Sequence, residues 1–162
     1  MNRWFLMVLC AFGVMAAAVA ADARPVAFSE KELRKGVREN FASLQDGVLK
    51  VYGNPSHRHP KWLPVFLELG PAPVGKTICL EGDVKTELSA GMFMVAIKIT
   101  DAQGKSISYQ GPTFRSSQDW QHFTRKFKVP ENGATLSLFV VGRDMDAKSY
   151  GMVKNITWKV LD

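Results

Sequence analysis

The sequence predicts an all-β fold, an antiparallel β-sandwich of seven or eight strands preceded by one short amphipathic helix. Three observations carry that expectation. From Gly47 onward the apolar residues recur with period two, and the apolar runs are cut at short intervals by Gly, Pro, Asn and Asp. In 162 residues, 46% hydrophobic and 22% charged is the balance of one ordinary folded domain, which excludes a disordered or collagen-like chain.

The first 23 residues, MNRWFLMVLCAFGVMAAAVAADA, join a short segment carrying Arg3 to an apolar run from Trp4 to about Ala20. Small residues follow, spaced for peptidase cleavage after Ala20 or Ala23. This is expected to be a signal peptide that exports the chain to a periplasm or the extracellular medium. An uncleaved anchor is the alternative, although the run falls slightly short of the roughly 20 residues that span a bilayer. Cleavage after Ala23 leaves a chain with no membrane-inserted segment and one cysteine, Cys79, so that no intramolecular disulfide can form. Cys79 reads either as a small semi-buried strand residue or as an intermolecular or ligand-reactive thiol.

Residues 24–45 are expected to hold the helix. Ser29 and Glu32 have the spacing of a capping box, and Leu33, Val37, Phe41 and Leu44 follow at steps of four, four and three. The stripe is narrow and Gly36 weakens it, which suits docking on the domain, with binding to a membrane or a partner helix as the alternative; Asp46-Gly47 is the stop.

The sandwich is expected over residues 46–162. Its clearest strands are Val48–Tyr52, Leu63–Leu69, Thr77–Thr86, Met92–Thr100, Ser106–Gln110, Trp120–Val129, Ala134–Val141 and Met152–Leu161. Gly70-Pro71, Asp101-Ala102-Gln103-Gly104 and Pro130-Glu131-Asn132-Gly133 supply turn chemistry between them. Alternation sorts the faces. Phe93, Val95, Ile97 and Ile99 share a core face, as do Ile78, Leu80 and Val84, and Phe123, Phe127 and Val129. Cys79, Glu81, Asp83 and Lys85 then point outward, with His122, Thr124, Lys126 and Lys128, so that one sheet presents a polar, somewhat basic outer face.

No catalytic pattern stands out: there is no G-x-S-x-G, no H-E-x-x-H, no C-x-x-C and no phosphate-cradling glycine loop. His57 and His59 could face one transition metal from an extended segment, with His122, Met92 or Met94 as further ligands, but two imidazoles alone are not a site. The formal charge of +6 is spread along the chain, and Phe123 and Phe127 beside the basic residues belong to the core phase. Nucleic acid is therefore not an expected partner.

Four stretches carry a resemblance to a known family. They are DGVLKVYGNPSHRHPKW, PVGKTICLEGDVKTE, FMVAIKITDAQGKSISYQG with its D-x-x-G-K turn, and SSQDWQHFTRKFKVPENGATLSLFVVG with a D-W…F-x-V-P element. Together they resemble the CenC-like carbohydrate-binding modules within the galactose-binding-domain-like jelly rolls. The resemblance implies a jelly-roll sandwich that is non-catalytic, with a polysaccharide or glycoconjugate as partner. In that family the last strand commonly carries an Asp pair that helps hold a structural calcium; here GMVKNITWKV places Asn155 and Ile156 there, which does not favour a hard cation. No other cofactor is implied.

A sugar site needs an exposed aromatic platform with polar groups beside it. The loop matching the family's R…W stretch points to Trp62 as the stacking residue, with Arg58, His57 and Tyr52 hydrogen-bonding. Tyr109 with Gln110, and Phe114 with Arg115, are expected on the same rim. Trp120, at the family's structural D-W position, and Trp158 are expected to be buried. A different class of function, an envelope protein-interaction or assembly module, is the alternative that the solitary domain, the helix and the unpaired Cys79 leave open.

Overall fold

The computed structural model describes residues 22–29, 41–53 and 62–161. Its strands, in chain order, are β1 (Arg24–Pro25), β2 (Ala42–Gln45), β3 (Val48–Tyr52), β4 (Trp62–Pro71), β5 (Thr77–Glu87) and β6 (Met92–Thr100). They continue with β7 (Ser106–Gln110), β8 (Thr113–Phe114), β9 (Gln118–Lys128), β10 (Thr135–Arg143) and β11 (Tyr150–Val160). Two antiparallel sheets form the sandwich. One runs β2-β3-β11-β5-β9, with β1 also pairing β11; the other runs β4-β10-β6-β7, with β8 also pairing β6.

The core lies between them and follows the alternation. Ile78, Leu80, Val84, Phe93, Val95, Ile97 and Ile99 are all completely buried, and Phe123, Phe127 and Val129 join them. Burying such side chains contributes about 1.5–3 kcal/mol each before the cost of ordering the chain.

The expected helix falls mostly at residues 30–40, outside the described residues. Its last turn is corrected: Ala42–Gln45 is a strand that pairs with β3, Gln45 opposite Val48. The two residues between, Asp46 at φ 50° and Gly47 at φ 75°, form a tight hairpin turn. Asp-Gly is favoured where both central residues need positive φ, because that turn matches the twist of the strands. Gly70-Pro71 likewise lies inside β4 rather than between strands. Leu69 is the extra residue of a bulge there, since Gly70 faces Leu136 and Glu68 faces Ser137.

Two further bulges shape the six-stranded sheet. In β11, Lys154 faces Asp83 and Thr157 faces Glu81, so Asn155 and Ile156 together oppose Gly82. Asn155 takes φ 52°, a left-handed conformation that Asn tolerates better than most residues. The half-turn it inserts returns Ile156 and Trp158 to the core, where both are buried. In β9, Gln118 faces Thr86 and Gln121 faces Val84, which sets Asp119 and Trp120 against the single residue Lys85.

Candidate functional site

The outward residues of the six-stranded sheet follow from this register. Tyr52 on β3 faces Tyr150 on β11, which faces Glu87 on β5. In the next row Lys50 faces Met152, Met152 faces Lys85, and Lys85 meets the bulged pair Asp119 and Trp120. Beyond them Lys154 faces Asp83, which faces His122. One face thus carries three aromatic rings interleaved with lysines.

Two of those lysines rest on the rings. Lys50 Nζ lies 3.9 Å from the ring centre of Tyr150 and 4.8 Å from that of Tyr52. Lys154 Nζ lies 4.4 Å from the ring centre of Trp120. Each contact is worth about 0.5–1 kcal/mol at an exposed site, weak enough for a ligand to displace. The Tyr52 hydroxyl is 3.0 Å from Ser43 Oγ on the neighbouring strand, which fixes the ring across β2 and β3.

Asp119 and Asp83 on this face are engaged. Lys85 Nζ donates to Asp119 Oδ1 at 2.8 Å. That bond, with the Trp120 backbone N–H, holds the Asp119 carboxyl below the usual range, and the same bond raises Lys85. Asp83 accepts from Asn155 Nδ2 at 2.7 Å and lies 3.0 Å from His122 Nδ1. The Asn155 bond and then His122 hold its carboxyl down as well. Beside the Lys85–Asp119 pair is an open pocket of about 300 Å³ lined also by Glu87, Ser117 and Gln118. The pocket supplies polar and charged groups, and the ring faces of Trp120 and Tyr150 lie outside it on the same side of the sheet; a polyhydroxylated ring can use both kinds of surface.

Cys79 lies on this side of the sheet, between Lys159 and Lys126 on the adjacent strands. Contrary to its outward phase it is only 1% exposed. Burial pushes its thiol up, and the bond that Sγ donates to Glu81 Oε1 at 3.2 Å adds to this.

The outer face of the five-stranded sheet has a different character. Phe139 is buried there against Phe66 and Tyr109, with ring centres 5.0 and 4.9 Å away, and Ala96, Val141 and Met94 continue the patch. Lys98 covers Phe66 at 5.2 Å.

The sequence-predicted site residues are therefore dispersed. His57, Arg58 and His59 lie outside the described residues. Trp62 opens β4 with its backbone opposite Arg143; its side chain is outside the described part. Tyr52 belongs to the six-stranded face. Tyr109, 43% exposed, and Gln110, half-buried opposite Ile97, belong to the five-stranded sheet, so they do not share a rim with Tyr52. Phe114 points inward, edge-on to Phe123 at 6.4 Å. Met94 and His122 stand on opposite outer faces, and no metal-binding cluster of His, Cys, Asp or Glu occurs among the described residues.

Trp120 is also corrected. It is half-buried under Lys154 on the outer face rather than in the core, whereas Trp158 is buried as expected, at 4%. Tyr150 was not among the expected residues, because the strand was expected to begin at Met152. The signal lay in YGMVK, where Tyr150, Met152 and Lys154 alternate with Gly151 and Val153.

No protein-family model matches the chain, and no curated protein matches it in sequence. Solved structures do. A CBM4 carbohydrate-binding module superposes with a TM-score of 0.54 at 12% identity, over 74% of this chain and 87% of the module. The fold is that of carbohydrate-binding modules. The CBM22-1 xylan-binding domain of Paenibacillus barcinonensis Xyn10C gives 0.50 at 15% identity, over 89% of this chain and 83% of that domain. The enzymatically active domain of tailspike protein 4 from bacteriophage CBA120 gives 0.55 at 10% identity over 70% of this chain, but the match spans only 15% of the tailspike chain.

Proposed function

We propose that this chain is a non-catalytic carbohydrate-binding module of the CenC-like kind, exported by its first 23 residues, that takes a polysaccharide or glycoconjugate on the outer face of its six-stranded sheet. The observation that carries the reading is the alignment of Trp120, Tyr150 and Tyr52 across that face beside the Lys85–Asp119 pocket. The rings offer flat surfaces for the C–H faces of sugars. Lys85, Asp119 and Glu87 offer charged donors and acceptors for hydroxyls. The likeness of fold to a xylan-binding domain supports a glycan as the ligand class and does not select the sugar. The experiment is affinity electrophoresis of the purified chain through gels containing single polysaccharides. Retardation by at least one polymer that is abolished in Trp120→Ala is expected; unchanged migration in every polymer refutes the reading.

A further inference from the structure

We infer that the polysaccharide held on this face is anionic, with carboxylates drawn to Lys50 and Lys154. The inference rests on the reading of the face as a glycan site and adds the substrate class. Among the described residues, six lysines project from the outer side of the six-stranded sheet, Lys50, Lys85, Lys126, Lys128, Lys154 and Lys159, against four carboxylates, Glu81, Asp83, Glu87 and Asp119. Most of the acids are already used. Asp119 pairs with Lys85, Asp83 is held by Asn155 and His122, and Glu81 is 3.9 Å from Lys159.

Lys50 and Lys154 are different. Among the described residues neither has a carboxylate within ion-pair distance, and both ammonium groups lie over aromatic rings. They cover the ring faces onto which a sugar would stack. A neutral glycan offers the displaced ammonium groups only uncharged hydroxyl oxygens, which are weaker partners than a carboxylate. A uronate ring does both at once: its carboxylate accepts hydrogen bonds from the ammonium as it leaves the aromatic face, and its C–H face takes the vacated ring. Met152 faces Lys50, and Lys154 follows two residues further along the same strand, so the backbone positions of Lys50 and Lys154 lie roughly 8 Å apart and one extended chain can meet both.

The test compares polygalacturonate and alginate with neutral xylan and β-glucan in affinity electrophoresis, with polyglutamate as a polyanion that has no sugar ring. The wild-type chain is run beside Lys50→Gln/Lys154→Gln and Lys50→Arg/Lys154→Arg, each checked for an unchanged melting temperature. Retardation by a uronate polymer, at least tenfold weaker in the Gln variant, retained in the Arg variant and reduced several-fold between 50 and 300 mM salt, is expected. Binding of a neutral polymer that is kept or improved in the Gln variant overturns the anionic inference and leaves the glycan reading standing. Equal competition by polyglutamate overturns it as well, since charge alone would then explain the binding. Migration unchanged in all the sugar polymers removes the glycan reading and this inference with it.

Discussion

The Lys154 ammonium sits 4.4 Å above the ring of Trp120, on the solvent side of the six-stranded sheet. That contact separates the two tryptophans of this sheet: Trp120 is half-buried under a lysine, and Trp158 is 4% exposed in the core. Removing a core Trp costs about 3–5 kcal/mol through lost burial and the cavity left behind. Trp120→Ala is therefore expected to lower stability by no more than about 1 kcal/mol while abolishing polysaccharide retardation. Trp158→Ala is expected to lower stability by several times that. Urea denaturation of the two variants, followed by circular dichroism, measures the difference.

Asn155 holds the bulge that turns Ile156 and Trp158 inward, at φ 52° and with Nδ2 2.7 Å from Asp83 Oδ2. Asn155→Gly keeps the backbone conformation but loses the hydrogen bond, a cost of about 1 kcal/mol. Asn155→Val loses the bond and also places a β-branched residue in the left-handed region, adding roughly 1–2 kcal/mol. Thermal melts should rank the proteins wild type, Gly variant, Val variant, and equal melting of the two variants would show that the backbone at this bulge is not restrictive.

The contrast between these residues and the expected ones shows what the chain reveals unaided. Strands β5, β6, β9 and β11 were legible because the core face of each alternates with a different outer face within a single segment, and β10, which buries Phe139 and Val141 on its outer face as well, was legible as an apolar run bounded by turn residues. Alternation also set Trp120 in phase with His122 and Thr124, outside the core; the family resemblance pointed the other way and the strand period prevailed. Strand β2 was hidden because Phe41 and Leu44 are spaced as a helix would space them, while the stronger local signal, Asp-Gly two residues after a short run, marks a hairpin. The bulges at Asn155 and at Asp119-Trp120 are properties of a pair of strands. Only the partner's register reveals the extra residue, so the meeting of Lys85, Asp119 and Trp120 could not be seen in either segment alone.

Gly151 illustrates a packing requirement of the same strand. A methyl group there would collide with the ring of Phe93, a fully buried residue of the opposite sheet. The ring is enclosed by the core and has little room to yield, so Gly151→Ala is expected to destabilise the fold by about 1–3 kcal/mol. Pairing it with Phe93→Leu should recover part of that loss. A double-mutant cycle in urea checks the coupling, and additivity of the two changes would show that they do not touch.

Cys79 is expected to behave as an inert buried thiol rather than a reactive one. It is 1% exposed, and burial followed by the Glu81 hydrogen bond raises its ionisation above the usual thiol range. Because the thiolate is the reactive species, modification by an aromatic disulfide reagent at pH 8 should be slow in the native state and fast in urea. The measurement uses a Cys10→Ser background, so that one thiol is followed. Rapid native labelling would return Cys79 to the class of accessible thiols.

The acid limb of the stability curve should depend on Asp146. Its carboxylate accepts hydrogen bonds from Ser89 Oγ and Ser149 Oγ, each 2.7 Å away, and from the Lys148 backbone N–H at 3.1 Å, so it ties the β5–β6 turn to the β10–β11 connection. Ser89 and then Ser149 hold its carboxyl below the ordinary aspartate range, as Asn155 and His122 do for Asp83. A carboxyl whose folded pKa is depressed stabilises the native state fully above its unfolded value. That contribution shrinks as the pH falls through the folded value, because the unfolded chain takes up the proton first. The melting temperature is accordingly expected to change little on account of these groups between pH 8 and 5 and to fall below about pH 4. Asp146→Asn cannot ionise and loses the charge-assisted bonds at every pH, so it should melt lower at pH 7, and the gap to the wild type should narrow as the pH falls below about 4. Parallel curves across that range would place the acid sensitivity elsewhere, with Asp83→Asn as the comparison that locates it.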